Sequence, residues 1–129
     1  MSVAYATVGS NRLTEAKAFY AALLADLGLT HFFDHPSGGA IYGKDGELQF
    51  GVLGPFDGKP ATVGNGTMIS LKAPSPAAVA SIHAHALALG ATDEGAPGVR
   101  GPDPKGPFYG AYFRDLDGNK LCVFHWRKS

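Results

Sequence analysis

Apolar side chains along this chain follow two periods, strict alternation and the three-to-four spacing of a helix, and the change from one to the other happens twice in the same order. From Val3 to Val8, Ala4, Ala6 and Val8 alternate with Tyr5 and Thr7, the period of a first strand. Gly9, Ser10 and Asn11 supply turn and N-cap chemistry, and Ala16, Phe19, Tyr20, Leu23, Leu24 and Leu27 then recur at helical spacing until Gly28. His31 to Phe33 and Ala40 to Tyr42 read as strands around a His35-Pro36-Ser37-Gly38 turn, with Lys44-Asp45-Gly46 as a hairpin turn. In the next strand Leu48, Phe50 and Val52 are expected to face the helix, which leaves Gln49 and Gly51 on the other side of the sheet.

The stretch GPFDGKPATVGNG is rich in turn residues, and beyond it the order repeats. Met68 to Leu71 reads as a strand. Ser75 is an N-cap with Pro76 at the first helical position, and Val79, Ile82, Ala86 and Leu89 mark a buried stripe up to Gly90. Thr92 to Val99 is weakly strand-like and interrupted by Pro97-Gly98, and a proline-containing loop follows from Gly101 to Pro107. The hairpin FYGAYFRDLDGNKLCVFHW, Phe108 to Trp126, echoes GAIYGKDGELQFGVL earlier in the chain. The prediction is a single α+β domain of two βαβββ units, about 1–54 and 66–129, joined by a linker at 55–65. One helix covers one face of each sheet, so if the sheets curve together, the faces away from the helices line a cleft. Strand parity nominates Tyr5, Thr7, Gln49, Gly51, Met68, Ser70, Cys122, Phe124 and Trp126 as its walls.

Composition narrows the partners rather than the fold. Hydrophobic residues make up 45% and charged ones 17%, and the formal net charge is zero, so there is no electrostatic case for nucleic acid or an anionic membrane. The lone cysteine, Cys122, cannot form an internal disulfide. The N-terminal stretch lacks a basic start followed by an apolar segment, and no run approaches the roughly 18 apolar residues of a membrane span. A cytoplasmic protein with a small-molecule ligand is the expectation.

The paired units, AFYAALLADLGL after the first strand and FYGAYFRDLDGNKL near the end resemble the vicinal oxygen chelate superfamily, the glyoxalase, bleomycin-resistance and extradiol dioxygenase group. GNGTM, EGAPGVR and FYGAYFRDLDGNKLCVFHW are similar to a bacterial glyoxalase-like branch of it. The resemblance implies the glyoxalase/bleomycin-resistance fold, curved mixed sheets around a cleft, and a homodimer. It selects no one activity, since the superfamily holds isomerases, lyases, dioxygenases, thiol transferases and proteins that only sequester a toxin. Metal-dependent members place His, Glu or Gln ligands in the first and last strands of each unit. The matching positions here are Tyr5, Gln49, Met68 and Cys122. A phenol, an amide, a thioether and a thiol are poor donors for zinc, nickel, manganese or iron, and only Gln49 fits.

The reading that follows is a glyoxalase-like small-molecule-binding protein with a degenerate metal site and no cofactor. Tyr5, Gln49, Met68, Cys122, Phe124 and Trp126 line the cleft, with Arg100, Tyr109 and Phe56 at its mouth; Tyr5 is the candidate proton donor. One alternative is a glyoxalase-type lyase or isomerase, or a dioxygenase, with a divalent metal on Gln49 and, if the alignment shifts by two, Glu47. The other is a non-catalytic accessory protein whose cleft is filled core. Further histidines suggest no shared site: His83 and His85 lie about 200° apart around a helix, and His125 has the parity of Leu121 and Val123. Gly38 to Lys44 imitates a phosphate loop but reads as strand, and Asp115-Leu116-Asp117-Gly118-Asn119 is a hairpin turn rather than a calcium loop.

Overall fold

The computed structural model describes residues 3–127. The chain divides into a unit ending at Asn65 and a unit beginning at Gly66. Unit one contains β1 (Ala6–Gly9), α1 (Leu13–Ala25), β2 (Thr30–Asp34), β3 (Ala40–Lys44) and β4 (Glu47–Leu53). Unit two contains β5 (Ile69–Lys72), α2 (Pro76–Ala88), β6 (Thr92–Val99), β7 (Phe108–Arg114) and β8 (Lys120–Trp126). The sheets are ordered β1-β4-β3-β2 and β5-β8-β7-β6, and neither closes into a barrel. In each, the first strand runs parallel to the last and the other neighbours are antiparallel. The α+β class and the repeated strand, helix, three-strand order stand as read from the sequence.

Both helices end by the same device. Leu29 N–H donates to Leu24 C=O at 3.1 Å and Ala91 N–H to Ala86 C=O at 3.0 Å, the long bond of a Schellman turn. Gly28 (φ 77°) and Gly90 (φ 107°) supply the left-handed residue that the turn requires. Their starts differ. Ser75 Oγ accepts from Ala78 N–H at 3.0 Å, the expected N-cap. At α1 the N-cap is Arg12, without a side-chain cap, because Ser10 falls two residues early and its Oγ accepts from Arg12 N–H instead. Asn11 is used elsewhere: its side chain accepts from Ala61 N–H and donates to Ala61 C=O, fastening the middle of the expected linker to the turn after β1.

The helical stripes become the cores. α1 buries Ala16, Phe19, Tyr20, Leu23 and Leu24 against β2, β3 and β4, and the Tyr20 and Phe50 rings lie 4.8 Å apart. Burying each large side chain of this kind stabilises the fold by about 1.5–3 kcal/mol. Tyr42 is buried beneath the same helix, its hydroxyl donating to Lys17 C=O at 3.1 Å. Burial raises its phenol pKa, and the charge of Asp34 adds to the rise. α2 packs Val79, Ile82, His83 and Ala86 on β6, β7 and β8. His83 is the satisfied structural histidine its position suggests, with Nε2 3.1 Å from Asp93 and its ring edge-on to Phe113. The Asp93 carboxyl is held below its ordinary pKa chiefly by Gly95 N–H, with His83 helping.

One irregularity changes the expected facing. Tyr42 lies opposite Phe50 but Gly43 lies opposite Leu48, so Gln49 is the extra residue of a β-bulge. Alternation restarts there. Phe50 and Val52 face α1 as predicted, whereas Leu48 pairs with Gly43 and so leaves the helix side. Glu47 pairs with Lys44, whose side chain runs toward Gly28 behind α1, and therefore does not share the face that parity gave it. Gly43 allows the bulge, since a Cβ there would fall 2.3 Å from Glu47 C=O. Gly43→Ala should destabilise the protein by at least about 1–3 kcal/mol, against under about 0.5 kcal/mol for the exposed Thr30→Ala. Urea unfolding checks this, and an unchanged midpoint for Gly43→Ala would show that the bulge tolerates a side chain.

Candidate functional site

The register of unit two sorts its residues between two faces. Ala111, Phe113, Leu121 and Val123 lie under α2, so Gly110, Tyr112, Lys120, Cys122 and Phe124 project the other way. On that open face Ser70, Cys122 and Tyr112 stand side by side across β5, β8 and β7. The Ser70 and Tyr112 hydroxyls flank Cys122 in the register, and both pull the pKa of its thiol down. Cys122 is fully buried while Ser70 is exposed. Burial raises the thiol pKa and outweighs the opposing pull of the two hydroxyls and of Arg100 and Lys120. The Tyr112 phenol is raised too, first by burial and then by Cys122. At neutral pH the row is uncharged.

Charge is supplied from above and beside the row. Arg100 and Lys120 both lie over the Tyr112 ring, at 5.3 Å (Cζ) and 5.4 Å (Nζ) from its centroid. Arg100 also donates to Ala96 C=O. Glycines on β6 leave room for the guanidinium: a Cβ at Gly95 would fall 2.9 Å from the Tyr112 ring and 3.2 Å from Arg100, and one at Gly98 3.1 Å from Arg100. The Pro97-Gly98 interruption is therefore part of a strand whose register slips to make that room. Glu94 is taken up by Arg114. Beyond Tyr112, Phe108 folds over Gly110 and stacks on Phe124 with centroids 5.3 Å apart and planes at 4°.

The corresponding row in unit one, Thr7, Gly51 and Ile41 across β1, β4 and β3, carries no such chemistry. The Ile41 and Thr7 side chains occupy the space over Gly51, where a Cβ would fall 2.6 Å from Ile41 Cδ1.

Of the residues nominated from sequence, Arg100, Cys122 and Phe124 share this open face of unit two. Met68 precedes β5 and is partly exposed, and Trp126 ends β8 opposite Phe108 and is exposed. Tyr109 pairs with His125, whose Nδ1 lies 3.0 Å from Ala73 C=O, so it belongs to the other face. Tyr5, Gln49 and Phe56 belong to unit one: Tyr5 is exposed just ahead of β1, Gln49 is exposed in the bulge, and Phe56 is fully exposed in the loop after β4. Sequence reasoning passed over Tyr112 and Lys120. Both share the parity of Cys122 across the hairpin, a signal that acquires meaning only once Arg100 is known to lie on the same ring.

Comparison with solved structures places the fold. A glyoxalase/bleomycin resistance protein from Albidiferax ferrireducens T118 is 38% identical, with 95% of this chain and 97% of that chain covered and a TM-score of 0.83. The chain belongs to the glyoxalase/bleomycin resistance protein family. A lactoylglutathione lyase from Agrobacterium tumefaciens (20% identity, 96% and 92% covered, TM-score 0.67) shares the fold. So does a glyoxalase-related enzyme from Fulvimarina pelagi (18%, 97% and 88%, TM-score 0.69). No protein-family model and no curated protein matches the chain.

The metal that the family implies is a test of the donor set. Among the described residues no group of three or more His, Cys, Asp and Glu is placed to hold an ion. At the four family-equivalent positions stand the exposed phenol of Tyr5, the bulge amide of Gln49, the thioether of Met68 and the buried Cys122 thiol, whose pKa burial raises. These do not fit the zinc, nickel, manganese or iron sites of the family, which call for imidazole and carboxylate donors; only the Gln49 amide is of a ligand type the family uses. Native protein at pH 8 should react with 5,5′-dithiobis(2-nitrobenzoate) at least about 100-fold more slowly than the unfolded chain. The stability consequence has a definite sign: the folded thiol pKa is raised, so its contribution is intact below the ordinary value of 9.0 and is lost as pH rises beyond it. The urea midpoint should fall between pH 7 and pH 10, and less steeply in Cys122→Ser; parallel curves would contradict the assignment.

Proposed function

We propose that this family member binds a small aromatic anion on the open face of unit two, and that it does so with a degenerate metal site. The observation that carries this reading is Tyr112 held under Arg100 and Lys120, two cations beside a row of neutral donors. A carboxylate would take charge-assisted hydrogen bonds from Arg100 and Lys120. Its ring would lie against the Phe108 and Phe124 stack, and the exposed Ser70 hydroxyl would contribute a further polar contact. Met68 and Trp126 complete the rim of this face. The chemistry supports binding, because the row has no ionised base or nucleophile at neutral pH.

The test is titration with 2-naphthoate, followed through the amide resonances of Ser70, Tyr112 and Lys120. Arg100→Ala should weaken binding about tenfold or more, the scale of a charged hydrogen bond. Chelators should leave binding unchanged, and tag-free protein incubated with nickel, zinc and manganese should retain no stoichiometric metal. A retained metal whose removal abolishes binding would overturn the reading.

A further inference from the structure

Unit one has a surface pocket of its own, independent of the face just described. It lies where the parallel strands β1 and β4 end, at Gly9 and Leu53, and where the chain turns from β1 toward α1 and from β4 into the loop Gly54–Pro60. Carboxyl ends of neighbouring parallel strands leave such a crevice when their connections depart in different directions. Its volume is about 940 Å3, at the upper end of small-ligand sites.

The walls are fixed by specific bonds. Asn11 clamps Ala61 by two hydrogen bonds, Gly58 N–H donates to Pro55 C=O, and Asp57 accepts from Lys59 N–H, so the loop has a defined shape. On the opposite side Ser37 Oγ accepts from Gly54 N–H and lies 2.8 Å from His35 Nδ1. Ser37 N–H also points at that nitrogen, at 3.1 Å. A backbone N–H can only donate, so Nδ1 is the acceptor and neutral His35 carries its proton on Nε2. No intramolecular partner takes that Nε2–H among the described residues.

The lining residues include His35 and one charged residue, Lys59, and no carboxylate. Leu53, Pro36, Pro55, Pro60 and the fully exposed Phe56 supply the pocket's apolar walls, beside the uncharged polar residues Ser10, Asn11 and Ser37. Phe56 thus offers an exposed aromatic face beside a pocket with one cation and an imidazole N–H, the combination of apolar wall and few polar groups that suits a small ligand. We infer that unit one carries a second ligand site, which takes a small aromatic carboxylate: its ring lies between Phe56 and the prolines, and its carboxylate meets Lys59 and His35 Nε2–H. This site does not rest on the unit-two reading and shares no residue with it.

Titration of 15N-labelled protein with 4-fluorobenzoate tests it. The amides of Gly54, Phe56, Gly58 and Lys59 should shift together as one saturable site, and 4-fluorobenzylamine, with the same ring and opposite charge, should bind at least tenfold more weakly. Phe56→Ala and Lys59→Gln alter exposed positions, so the variants should fold normally; each should weaken 4-fluorobenzoate at these amides about fivefold or more. In Arg100→Ala the same amides should still respond, which separates failure of this site from failure of the other. The inference is overturned if these amides do not move at millimolar 4-fluorobenzoate, if the amine binds as well as the acid, or if Phe56→Ala leaves the affinity unchanged.

Discussion

The parallel pairing of first and last strand, β1 with β4 and β5 with β8, is the constraint on which the rest of each unit depends. It places the single helix of the unit over one face of a four-stranded sheet and sets the other face free for chemistry. The apolar energy is thereby concentrated on one side. Tyr20, Leu23 and Leu24 of α1, and Val79, Ile82 and Ala86 of α2, are wholly or almost wholly buried, so the opposite faces are released from the need to be hydrophobic. The parallel ends of β1 and β4 also lie beside the crevice that Phe56, Lys59 and His35 line.

Two copies of one scaffold have diverged by what stands in equivalent rows. In unit one, Thr7 and Ile41 close over Gly51, and nothing there can donate a proton or bind charge beyond the threonine hydroxyl. In unit two the same row is Ser70, Cys122 and Tyr112, and β6 has exchanged side chains for glycine so that Arg100 can lie over the ring. Desolvation decides the character of that row. It raises the pKa of both the thiol and the phenol against the pull of the nearby cations, so both are neutral groups at neutral pH.

The element order, both helical stripes and both helix-closing glycines were legible in the amino-acid sequence because each rests on local periodicity or on a backbone conformation that one residue type favours. Family membership was legible for the same reason, since the hairpin from Phe108 to Trp126 carries its signature in consecutive residues. What escaped were the places where pairing partners far apart in the chain decide the outcome. A bulge at Gln49 reverses the facing of Leu48 and Glu47, and no local feature announces it, because a register slip depends on which backbone groups of β3 find which of β4.

Candidate chemistry divides in the same way. The sequence by itself determined the two βαβββ units, their buried stripes and the parity that puts Cys122 and Phe124 on one face. Only the tertiary structure decided that Arg100 crosses to Tyr112, that Lys120 joins it, that Tyr109 turns away with His125, and that the loop after β4 folds back through Asn11 and Ala61 to wall a pocket. Periodicity reports what each residue does within its own strand or helix, whereas a binding site is made by side chains from different strands and loops, and their meeting is fixed by register and packing.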